Sequence, residues 1–263
     1  MRGVRAIFSL SVLASSSSGN STLVATERTR LLVDAGLSRK ETFERLNAIG
    51  VAPETLSAIL ITHEHSDHIA GLQTIAKKLN IPVYLSRLTA PTIPWPEDFV
   101  PKIESFAAGS SFPIGDIDVT SFTIPHDAID PVGFTFRSQG IKISIATDLG
   151  YMPDSVRVHL RGSDILLLES NHDLEMLKVG PYPWAIKQRI MGRMGHLSNE
   201  VACAFIQDDL DTTTSTLVLG HLSAQNNHPA LVEQCARQAL EGRSLFTRLV
   251  VAEPNLPTGT FVY

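Results

Sequence analysis

His63, His65, Asp67 and His68 lie within the seven-residue stretch Thr62-His63-Glu64-His65-Ser66-Asp67-His68, directly after the apolar run Ala58-Ile59-Leu60-Ile61. Imidazole nitrogen and carboxylate oxygen are the donors that zinc and its first-row neighbours accept. His63 and His65 are two apart, so on an extended segment they point the same way. Asp67 and His68 fall where the pattern of 69–76 predicts the start of a helix. Two pairs of donors suit two adjacent metal ions better than one. The alternative, a polar loop of satisfied surface histidines, is disfavoured by the density of the cluster.

Those donors need a rigid frame, and the hydrophobic pattern supplies one. Segments 4–13 and 21–26 read as a hairpin over the turn-forming run Ser15-Ser16-Ser17-Ser18-Gly19-Asn20, with 18–20 itself read as a plain turn. Further strands are expected at 30–33, 58–61, 82–85, 117–124, 132–137, 141–146, 164–168, 215–219 and 249–252. Helices are expected from Ser38, with Glu41 completing a capping box, to about residue 47, and from the histidine cluster to residue 79. Later helices are expected at 172–178, 183–194, 198–208 and 229–240, and the proline-rich stretch 89–101 reads as irregular. His63, His126, Asp148, Glu169 and His221 each fall at or just past the C-terminal end of an expected strand. Loops at one rim of a sheet are where sites are commonly built. His126 and His221 could each complete one metal, and Asp148 could bridge both.

The 263 residues, 43% hydrophobic and 19% charged, fit one layered α/β domain spanning 1–263, with no repeat or linker to divide it. A net charge of −5 gives no overall attraction to nucleic acid, which weighs against a protein that coats DNA but not against a local groove. Cys203 and Cys235 both fall in helical patterns, so no disulfide framework is expected and a reducing cytoplasm is the natural compartment. The basic start and apolar run at the N-terminus imitate a signal peptide, but the alternation of Phe8-Ser9-Leu10-Ser11-Val12 reads as a first strand. No stretch reaches the length of a transmembrane helix, and no membrane partner is expected.

The ordered pattern Leu32-Val33-Asp34-Ala35-Gly36, His63-x-His65-x-Asp67-His68, His126, Asp148 and His221 resembles the metallo-β-lactamase-fold hydrolases along almost the whole chain. The resemblance implies a four-layer αβ/βα sandwich with metals held between two sheets. It implies that His63, His65 and His126 hold one ion, that Asp67, His68 and His221 hold the other, and that Asp148 bridges them. Asp34 would support the histidine loop through hydrogen bonds. Flavodiiron oxygen reductases of this fold carry Glu where this chain has His65, so His65 points to hydrolysis. Leu168-Glu169-Ser170-Asn171 and Gly195-His196-Leu197-Ser198 stand where tRNA 3′-processing enzymes have their His-Glu-Ala-Thr and His-Ser-Thr motifs, with Leu168 replacing the first histidine. Carried over, His196 is the general acid and Glu169 its orienting partner.

The nearest likeness is to the YycJ/WalJ-like subgroup, through Ser18-Gly19-Asn20-Ser21, Pro125-His126-Asp127-Ala128, Glu169-Ser170-Asn171-His172-Asp173, Gly195-His196-Leu197-Ser198-Asn199 and Gly220-His221-Leu222-Ser223. That subgroup implies a cytoplasmic exonuclease on double-stranded DNA with a role in DNA repair, and two divalent ions: zinc first, manganese or iron as alternatives. The implied mechanism is attack on phosphorus by a metal-bridging hydroxide, oriented by Asp67, with His196 protonating the leaving alkoxide. Lys187, Arg189 and Arg193 precede His196 and read as a solvated helix face, with steering of a nucleic-acid backbone as the alternative. Two other function classes remain open from the residues: a small-molecule phosphodiesterase or thioesterase, and a non-catalytic metal-binding regulatory protein.

Overall fold

Strands buried on both faces read as continuous apolar runs, and those runs build two facing sheets of seven strands each. The computed structural model describes residues 7–243, 245–254 and 256–263. The first sheet runs β14 (Phe261–Val262), β1 (Ser9–Ser16), β2 (Gly19–Ala25), β3 (Arg30–Val33), β4 (Ala58–Leu60), β5 (Val83–Ser86), β6 (Ile103–Phe106). The second runs β13 (Arg248–Val251), β12 (Thr216–Gly220), β11 (Ile165–Glu169), β10 (Ile141–Ala146), β9 (Val132–Ser138), β8 (Ile117–Thr123), β7 (Ser111–Ile114).

Side chains alternate between faces, so each strand serves two cores. Leu10, Val12, Val24 and Leu31 of the first sheet meet Val119, Phe134, Ile143 and Val218 of the second in the central core. Leu23, Leu32 and Ile59 point outward and are covered by α1 (Arg39–Ala48) and α3 (Leu72–Leu79). On the far side Leu166, Leu168 and Leu217 are covered by α4 (Asp154–Leu160), α7 (Asn199–Asp208) and α8 (Pro229–Gly242). Helix, sheet, sheet and helix make the four-layer αβ/βα sandwich that the sequence predicts. Strands β3 to β6 pair in parallel, and so do β10 to β13, which gathers their C-terminal ends at one rim.

Several local expectations need correction. Residues 4–6 of the expected first strand lie outside the described residues. β1 and β2 continue through the serine-rich run, so the turn shrinks to Ser17-Ser18. The single helix expected through residue 79 is broken into α2 (Ser66–Ile69) and α3 at Gly71. Gly71 N–H donates to the Ala35 carbonyl (2.8 Å), and a Cβ at Gly71 would collide with the Leu37 carbonyl, so the chain must bend there to seat the cluster. Strands β6, β7 and β14 were not expected, being four, four and two residues long. Cys203 on α7 and Cys235 on α8 meet side by side, with Cα atoms 6.2 Å apart. A separation of 32 residues does not announce that contact, because it follows from α7 packing on α8. Among the described residues no helix is long and apolar enough to cross a membrane.

Gly36 brings the end of β3 close against the loop that carries Asp67. Its N–H donates to the Asn20 carbonyl (2.8 Å), and a Cβ there would collide with the backbone of Asp67. Gly36→Ala is therefore expected to lower stability by roughly 1–3 kcal/mol through overpacking, read as a lower urea midpoint with an unchanged m-value.

Candidate active site

Five strand ends, one short helix and one loop converge on one cleft of about 280 Å³. The end of β4 leads into the segment that carries His63 and His65, and α2 carries Asp67 and His68. His126 follows β8, Asp148 follows β10, Glu169 ends β11, and His221 follows β12. His196 sits in the loop before α7. His63, His65 and His126 offer ligand atoms within 4.8 Å of one another, as do Asp67, His68 and His221. Asp148 joins His63 and His68 in a third such group and Glu169, His196 and His221 in a fourth. Every site residue predicted from the sequence is thus brought to one place.

The orientation of each imidazole is imposed from outside the cluster. A carboxylate or carbonyl oxygen can only accept, so the ring nitrogen facing it carries the proton. His68 Nδ1 donates to Asp34 Oδ2 (2.9 Å), His126 Nδ1 to the Gly195 carbonyl (3.1 Å), and His221 Nδ1 to Glu169 Oε1 (2.8 Å). In each case Nε2 is the nitrogen turned towards the cluster. Asp34 also accepts from Thr62 N–H (2.9 Å) and the Thr62 hydroxyl, which fixes the start of the histidine loop as expected. His63 Nε2, His221 Nε2 and Asp148 Oδ2 are buried with no hydrogen-bond partner. Leaving buried acceptors unpaired costs on the order of 1–3 kcal/mol each. A cation among them removes that cost, so the donor set fits divalent metal ions.

Electrostatics agree with that fit. Burial alone would raise the Asp67, Asp148 and Glu169 carboxyls, but the facing imidazoles outweigh it and hold all three below the ordinary range, Glu169 at about 2. Burial and the neighbouring His68 lower His63. Burial also opposes the charged form of His221, yet Asp148, Asp67 and Glu169 raise it to about 10, so a metal ion bound there would take the place of the Nε2 proton.

Glu169 is saturated. Oε1 accepts from His196 Nδ1 (2.7 Å) and His221 Nδ1, while Oε2 accepts from Leu149 N–H (2.7 Å) and Leu197 N–H (3.1 Å). One buried carboxylate therefore ties the Asp148 loop, the His196 loop and the His221 loop together. Behind it, Asn227 donates to the Ser170 and Asn171 carbonyls (2.9 and 3.0 Å), and Asn171 donates to the His221 carbonyl (2.8 Å).

Sequence reasoning missed two contributors in the serine-rich hairpin. Ser15 Oγ accepts from His221 N–H (2.7 Å). Asn20, read as part of a plain turn, places Nδ2 3.2 Å from Asp67 Oδ2 and 3.1 Å from His68 Nε2. Its amide is held the right way round by Ser16, whose N–H meets Oδ1 (3.1 Å) and whose carbonyl meets Nδ2 (3.0 Å). The available signal was the run of small polar residues, which permits strands to close tightly over the cluster.

The three basic residues separate. Lys187 is buried, and its ammonium donates to the Lys178 carbonyl (2.7 Å), so it is neither a solvated face nor a substrate contact. Arg189 on α6 (Trp184–Ile190) lines the cleft and pairs with Asp127. Arg193 lies beyond the end of α6, with its guanidinium 4.2 Å over the Tyr151 ring.

The model of the beta-lactamase superfamily domain matches residues 29–222. This chain belongs to that superfamily. Among superfamily relatives it is 38% identical over 259 residues to exodeoxyribonuclease YycJ of Bacillus anthracis, covering 94% of this chain and 96% of that protein. It is 40% identical over 243 residues to exodeoxyribonuclease WalJ of Streptococcus pneumoniae, covering 89% and 90%. The solved structure of the metallo-β-lactamase-fold protein YhfI from Bacillus subtilis superposes with a TM-score of 0.72, covering 98% of this chain and all of that one, at 16% identity. That last likeness speaks to the fold alone.

Two substitutions probe these supports. Glu169→Gln keeps the shape but sets an amide donor against N–H donors, and breaking such a buried charged network costs roughly 3–5 kcal/mol; a chemical denaturation curve reads the loss. Asn20→Ala removes the donor to Asp67, and loss of such a supporting contact weakens metal binding by about 10–100-fold, as measured by competition with a chromogenic chelator.

Proposed function

We propose that this chain, acting as one domain over residues 1–263, is a metal-dependent phosphodiester hydrolase of the cytoplasm that removes nucleotides from the ends of DNA. The observation that carries this reading is the likeness, over nearly the whole chain, to two exodeoxyribonucleases at 38% and 40% identity. In the proposed site His63, His65 and His126 hold one divalent ion, Asp67, His68 and His221 hold a second, and Asp148 contributes to both. The overlapping donor groups and the unpartnered atoms of His63, Asp148 and His221 support this assignment. Zinc suits these donors first, and manganese or iron can be accepted.

Bound ions would lower the pKa of a water molecule and offset charge on the phosphate oxygens. The remaining work falls to the chain's own groups. Asp67, half-buried on the cleft wall, accepts a hydrogen bond from the attacking water and aligns it. Glu169 holds one proton on His196 Nδ1 and favours the doubly protonated ring against burial, so the second proton, on Nε2, is the one that passes to the leaving oxygen. Arg189 offers a guanidinium to a backbone phosphate within the same cleft.

The test is degradation of 5′- and 3′-labelled duplex and single-stranded DNA and RNA by protein loaded with zinc, manganese or iron. Bis-p-nitrophenyl phosphate and a glutathione thioester run beside them. Stepwise shortening of DNA is expected; turnover of the thioester without nuclease activity would overturn the reading. His196→Ala is expected to retain its metal and lose about 10²–10⁴-fold in turnover, with metal content read by elemental analysis. Stripping the ions with a chelator should lower the melting temperature as well as abolish turnover, because bound ions favour the folded state.

A further inference from the structure

The cleft has two chemically opposite walls. One carries the imidazoles and carboxylates already described. The other is Tyr182, Ile186 and Ile190, with Arg189 beside them, all from the excursion of chain between Glu169 and His196. The proposed hydrolysis gives no task to an apolar and aromatic wall. A phosphodiester of DNA has a matching polarity: a charged phosphate on one side, and a flat, apolar-faced base a sugar's width away.

The geometry points to Tyr182 and Ile186 as a subsite for the base of the terminal nucleotide, the one released when the adjacent phosphodiester is cut. This inference rests on the exonuclease reading and names how the DNA end is held. Charge and size both favour this occupant. Arg189, which lines the same cleft and pairs with Asp127, supplies the cation that a nucleotide's phosphate requires. At about 280 Å³ the cleft lies at the small end of ligand sites, which span roughly 300–1,000 Å³. That size suits a single nucleotide.

The wall is also held in place before any ligand arrives. Tyr182 lies between Pro181 and Pro183, each with a restricted φ, and Pro183 is the residue that opens α6. α6 is tied back to α5 (Leu174–Val179) by the Lys187 ammonium on the Lys178 carbonyl. α5 in turn begins on the Asp173 cap, whose carboxylate accepts from Met176 N–H (2.8 Å). A surface fixed in this way loses little conformational freedom when a base stacks on it. Stacking on an aromatic side chain accepts every base, so the subsite serves stepwise degradation irrespective of sequence.

The experiment compares two duplex substrates for the metal-loaded full chain, one ending in an ordinary nucleotide and one ending in a tetrahydrofuran abasic nucleotide. Wild type is expected to favour the base-bearing end. Tyr182→Ala is expected to lose about tenfold in kcat/KM on that end, mainly through KM, as the loss of one base–aromatic stack implies. On the abasic end it should match wild type. Tyr182→Phe should retain the preference, and Tyr182→Leu, which keeps an apolar wall without the ring, should lose most of it. Equal slowing of both substrates by Tyr182→Ala and Tyr182→Leu would make the residue structural and overturn the subsite. So would unchanged kinetics on both, with DNA still degraded. A wild-type protein that degrades no DNA with any of the three metals would overturn the exonuclease reading itself, and the subsite with it.

Discussion

The buried Glu169 carboxylate is the contact on which the site depends. It accepts four N–H groups, from His196, His221, Leu149 and Leu197, and it is fully enclosed. A carboxylate in a low-dielectric interior is tolerated only when its lone pairs are met, and meeting them here draws in three separate loops. Those loops carry Asp148, His196 and His221. The interaction that makes the buried charge tolerable therefore also sets the distances within the site. The same residue fixes the tautomer of one proposed metal ligand and of the proposed proton donor, so the positions of metal and acid cannot drift independently.

A second constraint acts on the backbone. Asp34, Asp148 and His221 each follow a strand and each adopt a left-handed conformation, with φ of 60°, 64° and 57°. Non-glycine residues occupy that region at a cost of order 1 kcal/mol or more, and they persist only when the surroundings over-determine them. The surroundings do so here: Asp34 is held by Thr62 and His68, and His221 by Ser15 and Glu169. Turning the chain sharply at the strand end is what allows a buried β-strand to hand a polar side chain to the rim. Parallel neighbours in each sheet then place these turns side by side.

The sequence carried the chemistry more legibly than the supports. A ligand cluster is local, and strand ends follow from two-residue alternation, so His63, His65, Asp67, His68, His126, Asp148, Glu169, His196 and His221 could all be named in advance. Asn20 could not be given its role, because its contacts with Asp67 and His68 span 47 and 48 residues and depend on how tightly a serine-rich hairpin closes. Lys187 looked like part of a solvated face, yet its side chain turns inward to cap α5, a choice made by tertiary packing rather than by charge pattern. The break at Gly71 arises from a neighbouring loop, and helical periodicity has no means of registering it. The short strands β6, β7 and β14 owe their existence to pairing partners, which a pattern read along one segment does not contain.

The division of labour along the chain follows from these constraints. The proposed ligands, delivered by strand ends, are bound to the sheet framework, so their geometry belongs to the fold and says little about substrate. The excursion from Leu174 to Ile190 leaves the framework at Glu169 and returns at His196, anchored at both ends by the same carboxylate. It is braced by contacts of its own, Lys187 to Lys178 and Asp173 to Met176, and it meets the site through Arg189 on Asp127 and through the Ile190 carbonyl, which accepts from His196 N–H (3.0 Å). Tyr182, Ile186 and Arg189 stand in that excursion and line the same cleft as His65, Asp67, His126, Asp148 and His221, so the wall proposed to meet the nucleotide is built by the part of the chain that lies outside the sheets.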